Sequence, residues 1–262
     1  MRLVLCLLFV GVFLLPAPEA DACSCRAPRV EAWPQPDSLA PSNAHIFVRV
    51  PGAEQEKVVL RLQGTEDTTG IPAVRTDVVS MQVRFVELAP SIKLSRGGKY
   101  EVVVGSGTKA RVISTFTVSG KADTSVPKTP KVKKATFFHE EAVCCTCGSG
   151  KPHIQISLVD ANEKEDLRIL YGIWNAHAKN ANAKGEVDWN RNPDAYVVSW
   201  YGTLSLGDAS TCTVNNFPIA PKGKMKFGIR AISAAGTQSK GEIVTVKVKA
   251  KTKSRFLIRK QK

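Results

Sequence analysis

From Asp37 onward, apolar positions come in short alternating runs separated by turn residues. His45 to Val50 ends at Pro51-Gly52, and Lys57 to Gln63 ends at Gly64. Val78 to Leu88 sets Met81, Val83 and Phe85 two residues apart. Arg96-Gly97-Gly98 is a turn, and Tyr100 to Val104 is closed by Gly105-Ser106-Gly107. Arg111 to Val118 puts Val112, Ser114, Phe116 and Val118 on one face. A period of two marks strands with one buried and one wet face. Breaks about every ten residues predict an antiparallel sandwich. No window of this half carries a helical period.

Residues 120–130 are small, polar and proline-containing, which predicts a linker. A second β-rich region follows, over 131–250. Its expected strands are Val132–Phe138, His153–Val159, Leu167–Trp174, Ala195–Tyr201, Thr211–Val214, Lys224–Ser233 and Glu242–Lys249, enough for one sandwich. Residues 175–194 are polar and rich in Asn, Ala and Lys, and read as a long surface insert with at most one helical turn. The expected architecture is therefore all-β: two consecutive Ig-like antiparallel sandwiches, the first over 37–119. A basic tail over 251–262 closes the chain.

The first residues change the picture. Arg2, an apolar core from Leu3 to Leu15, Pro16 and Pro18, then Ala20-Asp21-Ala22 read as a secretory signal over 1–22. The expected setting is periplasmic or extracellular and oxidising. A lipid anchor at Cys23 is the alternative, against which Ala20 stands where a lipobox has leucine. Residues 23–36, with three prolines, read as an extended arm outside the core. The formal charge is +14, and losing Arg2, Glu19 and Asp21 with the signal leaves the rest one unit more positive. That balance suits anionic partners, although outside the C-terminus the cations are scattered. In the tail, Lys247, Lys249, Lys251 and Lys253 alternate, with Arg255, Arg259 and Lys260 beyond. A continuing strand puts the four lysines on one face, either as a guarded edge or as an anion-binding strip.

Pro36 to Ile46, with Pro41 and Asn43-Ala44 ahead of the first strand, resembles the opening of bacterial Ig-like surface modules. Val86 to Pro90, Leu94 and Gly98-Lys99-Tyr100-Glu101-Val102 resemble their hairpin, and Phe116 to Pro127 their close. Gly223 to Ser239 is similar to the last strands of a fibronectin type III or related Ig-like module. There the family's corner tyrosine falls on Met225, so the resemblance implies a sandwich without a tyrosine corner. Modules of these families serve as adhesion, spacer or ligand-binding domains, and fold alone names no ligand.

Six cysteines follow the signal: Cys23, Cys25, Cys144, Cys145, Cys147 and Cys212. In an oxidising compartment they are expected as disulfides, with Cys212 paired to one of the central three and the other two holding Cys23 and Cys25. The rival is a zinc site with His139 and His153, against which Cys145-x-Cys147 is tighter than the usual pair spacing. Asp188, Asn190, Asn192 and Asp194 have the oxygen spacing of a calcium loop, but Pro193 and Ser199 stand where that loop needs Gly and Glu. No metal or other cofactor is expected. Cys23-Ser24-Cys25 alone resembles the start of tissue inhibitors of metalloproteinases, which implies a remote inhibitor reading.

No nucleophile elbow, phosphate-binding glycine loop or dinucleotide fingerprint occurs, and the four histidines lack a nucleophile partner in the pattern. Trp174, Trp189, Tyr196, Trp200 and Tyr201 flank the insert. Trp189, inside a polar loop, and Tyr201 are the candidate ligand contacts. The expected function is a non-catalytic secreted or envelope protein that adheres, binds or supports. Its partners would be a protein or polysaccharide surface ligand or an acidic envelope component, and not a specific nucleic acid. The second reading is polyanion binding through the basic tail. A metal-dependent enzyme or metalloprotease inhibitor is the remote third.

Overall fold

The computed structural model describes residues 30–51, 56–65, 69–80, 83–138, 152–159, 170–176, 186–199, 202–207, 217, 219 and 222–248. Eight strands form the first sandwich: β1 (Glu31–Trp33), β2 (Leu39–Ala40), β3 (Ile46–Pro51), β4 (Val58–Leu62), β5 (Ala73–Ser80), β6 (Val83–Pro90), β7 (Lys99–Val104) and β8 (Arg111–Val118). One sheet runs β1-β3-β6-β5 and the other β2-β8-β7-β4. All neighbours are antiparallel except the short β2, which runs parallel to β8. Ile46, Val48 and Val50 face inward at period two, with Val86 and Leu88, against Val58, Leu60, Val102, Val104, Phe116 and Val118 from the facing sheet. Apart from β2, this is the constant-type immunoglobulin strand order.

The Tyr100 hydroxyl accepts a hydrogen bond from the Ser95 backbone N–H at 2.8 Å, a tyrosine corner at the start of β7. Two residues on, Val102 takes the place at which antibody domains carry the second inter-sheet cysteine. No disulfide joins the two sheets of this core, for residues 26–143 contain no cysteine.

The second sandwich has β9 (Val132–Phe138), β10 (His153–Leu158), β11 (Leu170–Asn175), β12 (Ala195–Val198), β13 (Thr203–Gly207), β14 (Gly223–Ile232) and β15 (Glu242–Val248). A three-stranded sheet, β13-β10-β9, lies over a four-stranded one, β12-β11-β14-β15. Ile154, Ile156, Leu204 and Leu206 meet Ile173, Val197, Phe227, Ile229, Val244 and Val246 between them. The described residues contain no helix long and apolar enough to cross a membrane. The sole helical element among them is the 3-10 turn Gly107–Lys109.

Three expectations need correcting. The run Val78 to Leu88 is not one strand but parts of β5 and β6, a hairpin in which Ser80 pairs with Val83. Residues 81–82 are Met-Gln, without the Gly, Asn or Asp that announces a tight turn. The run Ala195 to Tyr201 ends as a strand at Val198. Gly202, at φ 72°, turns the chain into β13, whose Thr-Leu-Ser-Leu alternation is too short to stand out. The arm also does not stay outside the core: β1 pairs with β3, and Ala32 is buried. The expected strand Thr211–Val214 lies outside the described residues.

The stretch between the sandwiches is tied down at its start. Ser119 N–H donates to the Ala40 carbonyl at 2.9 Å, and Ser42 N–H to the Lys121 carbonyl at 3.0 Å. The Asn43 side chain donates to the Asp123 carbonyl at 2.9 Å and accepts from the Asp123 N–H at 2.8 Å.

Candidate functional site

Strand alternation decides what the outer face of β12-β11-β14-β15 presents. Met225, Phe227, Ile229 and Ala231 of β14 enter the core. Lys224, Lys226, Gly228, Arg230 and Ile232 therefore point outward. On β15, Val244, Val246 and Val248 enter the core, leaving Ile243, Thr245 and Lys247 outside. This outer face divides into three zones.

The first zone is covered by the other sandwich. Leu170, Tyr196 and Ile232 pack against Phe47, Val78 and Phe85, which lie on the outer face of β3, β5 and β6. Tyr196 stands edge-on to Phe47, with ring centres 5.7 Å apart, and 5.6 Å from Phe85. Its hydroxyl donates to Glu87 Oε2 at 3.0 Å. The other oxygen of Glu87 accepts from His45 Nδ1 at 2.7 Å. The His45 backbone N–H donates across the seam to the Ala234 carbonyl at 2.8 Å. Burial, then the charge of Glu87 and the hydrogen bond to it, push the Tyr196 phenol well above its ordinary value.

The second zone is covered by the returning end of the insert, residues 186–194. Trp174 is fully buried, with Trp189 tilted across it at 5.3 Å between ring centres. The Arg230 guanidinium lies 4.4 Å from the Trp189 ring centre and 5.5 Å from that of Trp174. Such contacts contribute about 0.5–2 kcal/mol, more when water is excluded. Arg230 also donates to Gln238 Oε1 at 2.9 Å, and burial lowers its pKa. The segment is fastened by Arg191. Its two terminal nitrogens each meet one oxygen of Asp194 at 2.6 Å, and one also reaches the Asn175 carbonyl at 3.0 Å. The hydrogen bond to Asp194 raises the Arg191 pKa. Asp194 Oδ2 accepts the Asn175 N–H at 2.6 Å, and the Trp174 indole N–H donates to the Arg191 carbonyl at 2.8 Å.

The third zone is left uncovered by the described residues. Lys224 of β14 pairs directly with Lys247 of β15, and Lys226 with Thr245. Lys224 and Lys247 are exposed and Lys226 is half-buried. Among the described residues, no carboxylate pairs with any of the three.

The site residues read from the sequence distribute unevenly over this face. Trp189 is on it, but packed against its own sheet and Arg230. Lys247 is on it and exposed. Asp194 gives both oxygens to Arg191, and Asp188 Oδ1 accepts the Asn190 N–H at 3.0 Å. The Asn190 side chain is exposed, and the Asn192 carbonyl accepts from Arg191 at 3.5 Å. Cys23, Cys25, Cys144, Cys145, Cys147, Cys212, Tyr201, Lys249, Lys251, Lys253, Arg255, Arg259 and Lys260 lie outside the described residues. Sequence reasoning missed Arg230, Lys224 and Lys226. The alternation of β14, which was visible, carries all three on the outward face. It also missed His45, Glu87 and Tyr196 as a group, for which no local pattern exists.

No family model matches the chain, and no curated protein matches it. Solved structures do. The N-terminal Ig1-2 module of the Drosophila receptor protein tyrosine phosphatase DLAR is 15% identical at a TM-score of 0.27, over 84% of this chain and 100% of that one. Tandem Ig repeats of Dlar are 13% identical at a TM-score of 0.26, over 82% and 95%. The titin domains z1z2, solved in complex with telethonin, are 16% identical at a TM-score of 0.23, over 87% and 98%. The Ig-like assignment rests on the strand orders and the tyrosine corner.

Proposed function

We propose that the chain is an exported Ig-like module that binds or supports at the cell envelope, with its two sandwiches acting as one rigid unit. The observation that carries this reading is the seam. Outward aromatic and aliphatic side chains of one sandwich meet those of the other, and His45, Glu87 and Tyr196 form a hydrogen-bonded chain across them. Export is supported by the signal-like residues 1–22, and a surface role by the likeness of residues 36–127 to bacterial Ig-like surface modules.

Two measurements on the secreted protein test the reading. Solution scattering of the wild type should fit one rigid shape, whereas Phe47→Asp with Tyr196→Ala should yield a broader distribution with both sandwiches still folded. The wild type should also sediment with envelopes of the producing cells. Failure to be exported, or a soluble fraction unchanged by added envelopes, overturns the proposal.

A further inference from the structure

We infer that the open zone of β14 and β15 is a binding face for a linear acidic polysaccharide, with Lys224, Lys226 and Lys247 as its cationic contacts. The inference rests on the reading of the chain as an exported binding module, and it names the class of ligand.

The argument starts from the register. Lys224 and Lys247 are directly opposed across two antiparallel strands. Their Cβ atoms are then about 4.5–5.5 Å apart, a spacing at which like charges destabilise the pair. Along β14, Lys224 and Lys226 are two residues apart on one face, about 7 Å. Three ammonium groups thus crowd a small area, and no described carboxylate neutralises them. An anion seated on the face relieves this repulsion.

The surroundings select among polyanions. Elsewhere the outer face of the same sheet is occupied, by the first sandwich and by residues 186–194. The other outward residues of what remains are Thr245 and Ile243, the latter 51% exposed. Among the described residues it has no open aromatic platform on which bases could stack, since Trp189 and Trp174 are engaged with Arg230 and each other. Nor, among the described residues, does a helix project for insertion into a duplex groove. Lysine ammonium groups are compact point charges that suit carboxylates spaced along a chain. A uronate polymer lying along the hairpin meets these conditions.

The test uses the full secreted protein and polygalacturonate, with neutral dextran, duplex DNA and phosphatidylglycerol vesicles as comparisons. Polygalacturonate should bind at low salt and weaken as salt rises, because exposed charges are screened beyond about 10 Å at 0.1 M. Lys224→Gln, Lys226→Gln and Lys247→Gln together should weaken binding about tenfold, each exposed ion pair contributing modestly. Lys224→Gln alone should leave the melting temperature unchanged or raise it, which separates lost contact from lost fold. Undiminished binding by the triple variant overturns the inference. So does loss only on removing residues 251–262, or tighter binding of DNA or vesicles than of polygalacturonate. A triple variant that still sediments with envelopes, yet no longer binds polygalacturonate, keeps the module reading and refutes this face as its means of attachment.

Discussion

Gly228 and Gly241 carry no Cβ, and the six-membered ring of Trp189 lies where those carbons would be. A Cβ on Gly228 would also stand 2.7 Å from Val187 Cγ1. The two glycines therefore act as a floor for an indole, a use unrelated to turns. Gly228→Ala should lower stability by about 1–3 kcal/mol, the usual cost of overpacking. Thermal unfolding would measure it, and the tryptophan emission should shift to the red as Trp189 is displaced. An unshifted emission maximum with unchanged melting would mean that Trp189 does not need the floor. In the first sandwich, Tyr100→Phe removes the acceptor of the Ser95 N–H. The expected loss is about 1–2 kcal/mol, since a part-buried donor is left unmade. Faster hydrogen exchange at the Ser95 amide should accompany it.

The elements most in need of explanation are strands whose two faces are both covered. In β11, Tyr171 and Ile173 face the core while Leu170 and Trp174 face outward and are buried all the same. The outward cover at Trp174 is the 186–194 segment, fixed by the Arg191–Asp194 clamp. Asp194→Ala removes both carboxylate contacts to Arg191 and the acceptor of the Asn175 N–H. It should cost about 2 kcal/mol by the denaturant midpoint, charged hydrogen bonds being worth more than neutral ones. The near-ultraviolet dichroism of the coupled indoles should fall with it. Retention of that signal would show that the segment is held by the stack alone. At this scale the sequence is half legible. The alternations in Ile46–Val50 and Lys224–Ile232 predict strands and their inner faces. The β5–β6 hairpin escapes because Met81-Gln82 carries no turn signal, and β13 because five residues are too few to establish a period.

The whole molecule depends on the seam, and its chemistry gives it a pH dependence. A free tyrosine ionises near pH 10. Burial and Glu87 hold Tyr196 protonated above that point in the folded chain. Above about pH 10 the unfolded chain therefore loses a proton that the folded chain keeps, and stability falls as pH rises. Tyr171 moves in the same direction through burial in the second core. Tyr196→Phe should thus make the fall in melting temperature above pH 10 shallower without abolishing it, at the cost of the Glu87 hydrogen bond near neutrality. Parallel melting curves for the two proteins across that range would rule out a contribution from Tyr196. By itself the sequence determined the all-β class and the inner faces of most strands, because a period of two is local and each strand carries its own. Only the tertiary structure decided that Phe47 and Tyr196 are buried between sandwiches, and that Phe85, whose alternation with Met81 and Val83 reads as a core face, turns to the seam while Val86 and Leu88 fill the first core. It also decided that Trp189 lies on a glycine floor beside Arg230, and that Lys224 meets Lys247. These contacts join residues far apart in the chain, and no local pattern encodes which outward face another part of the molecule will cover.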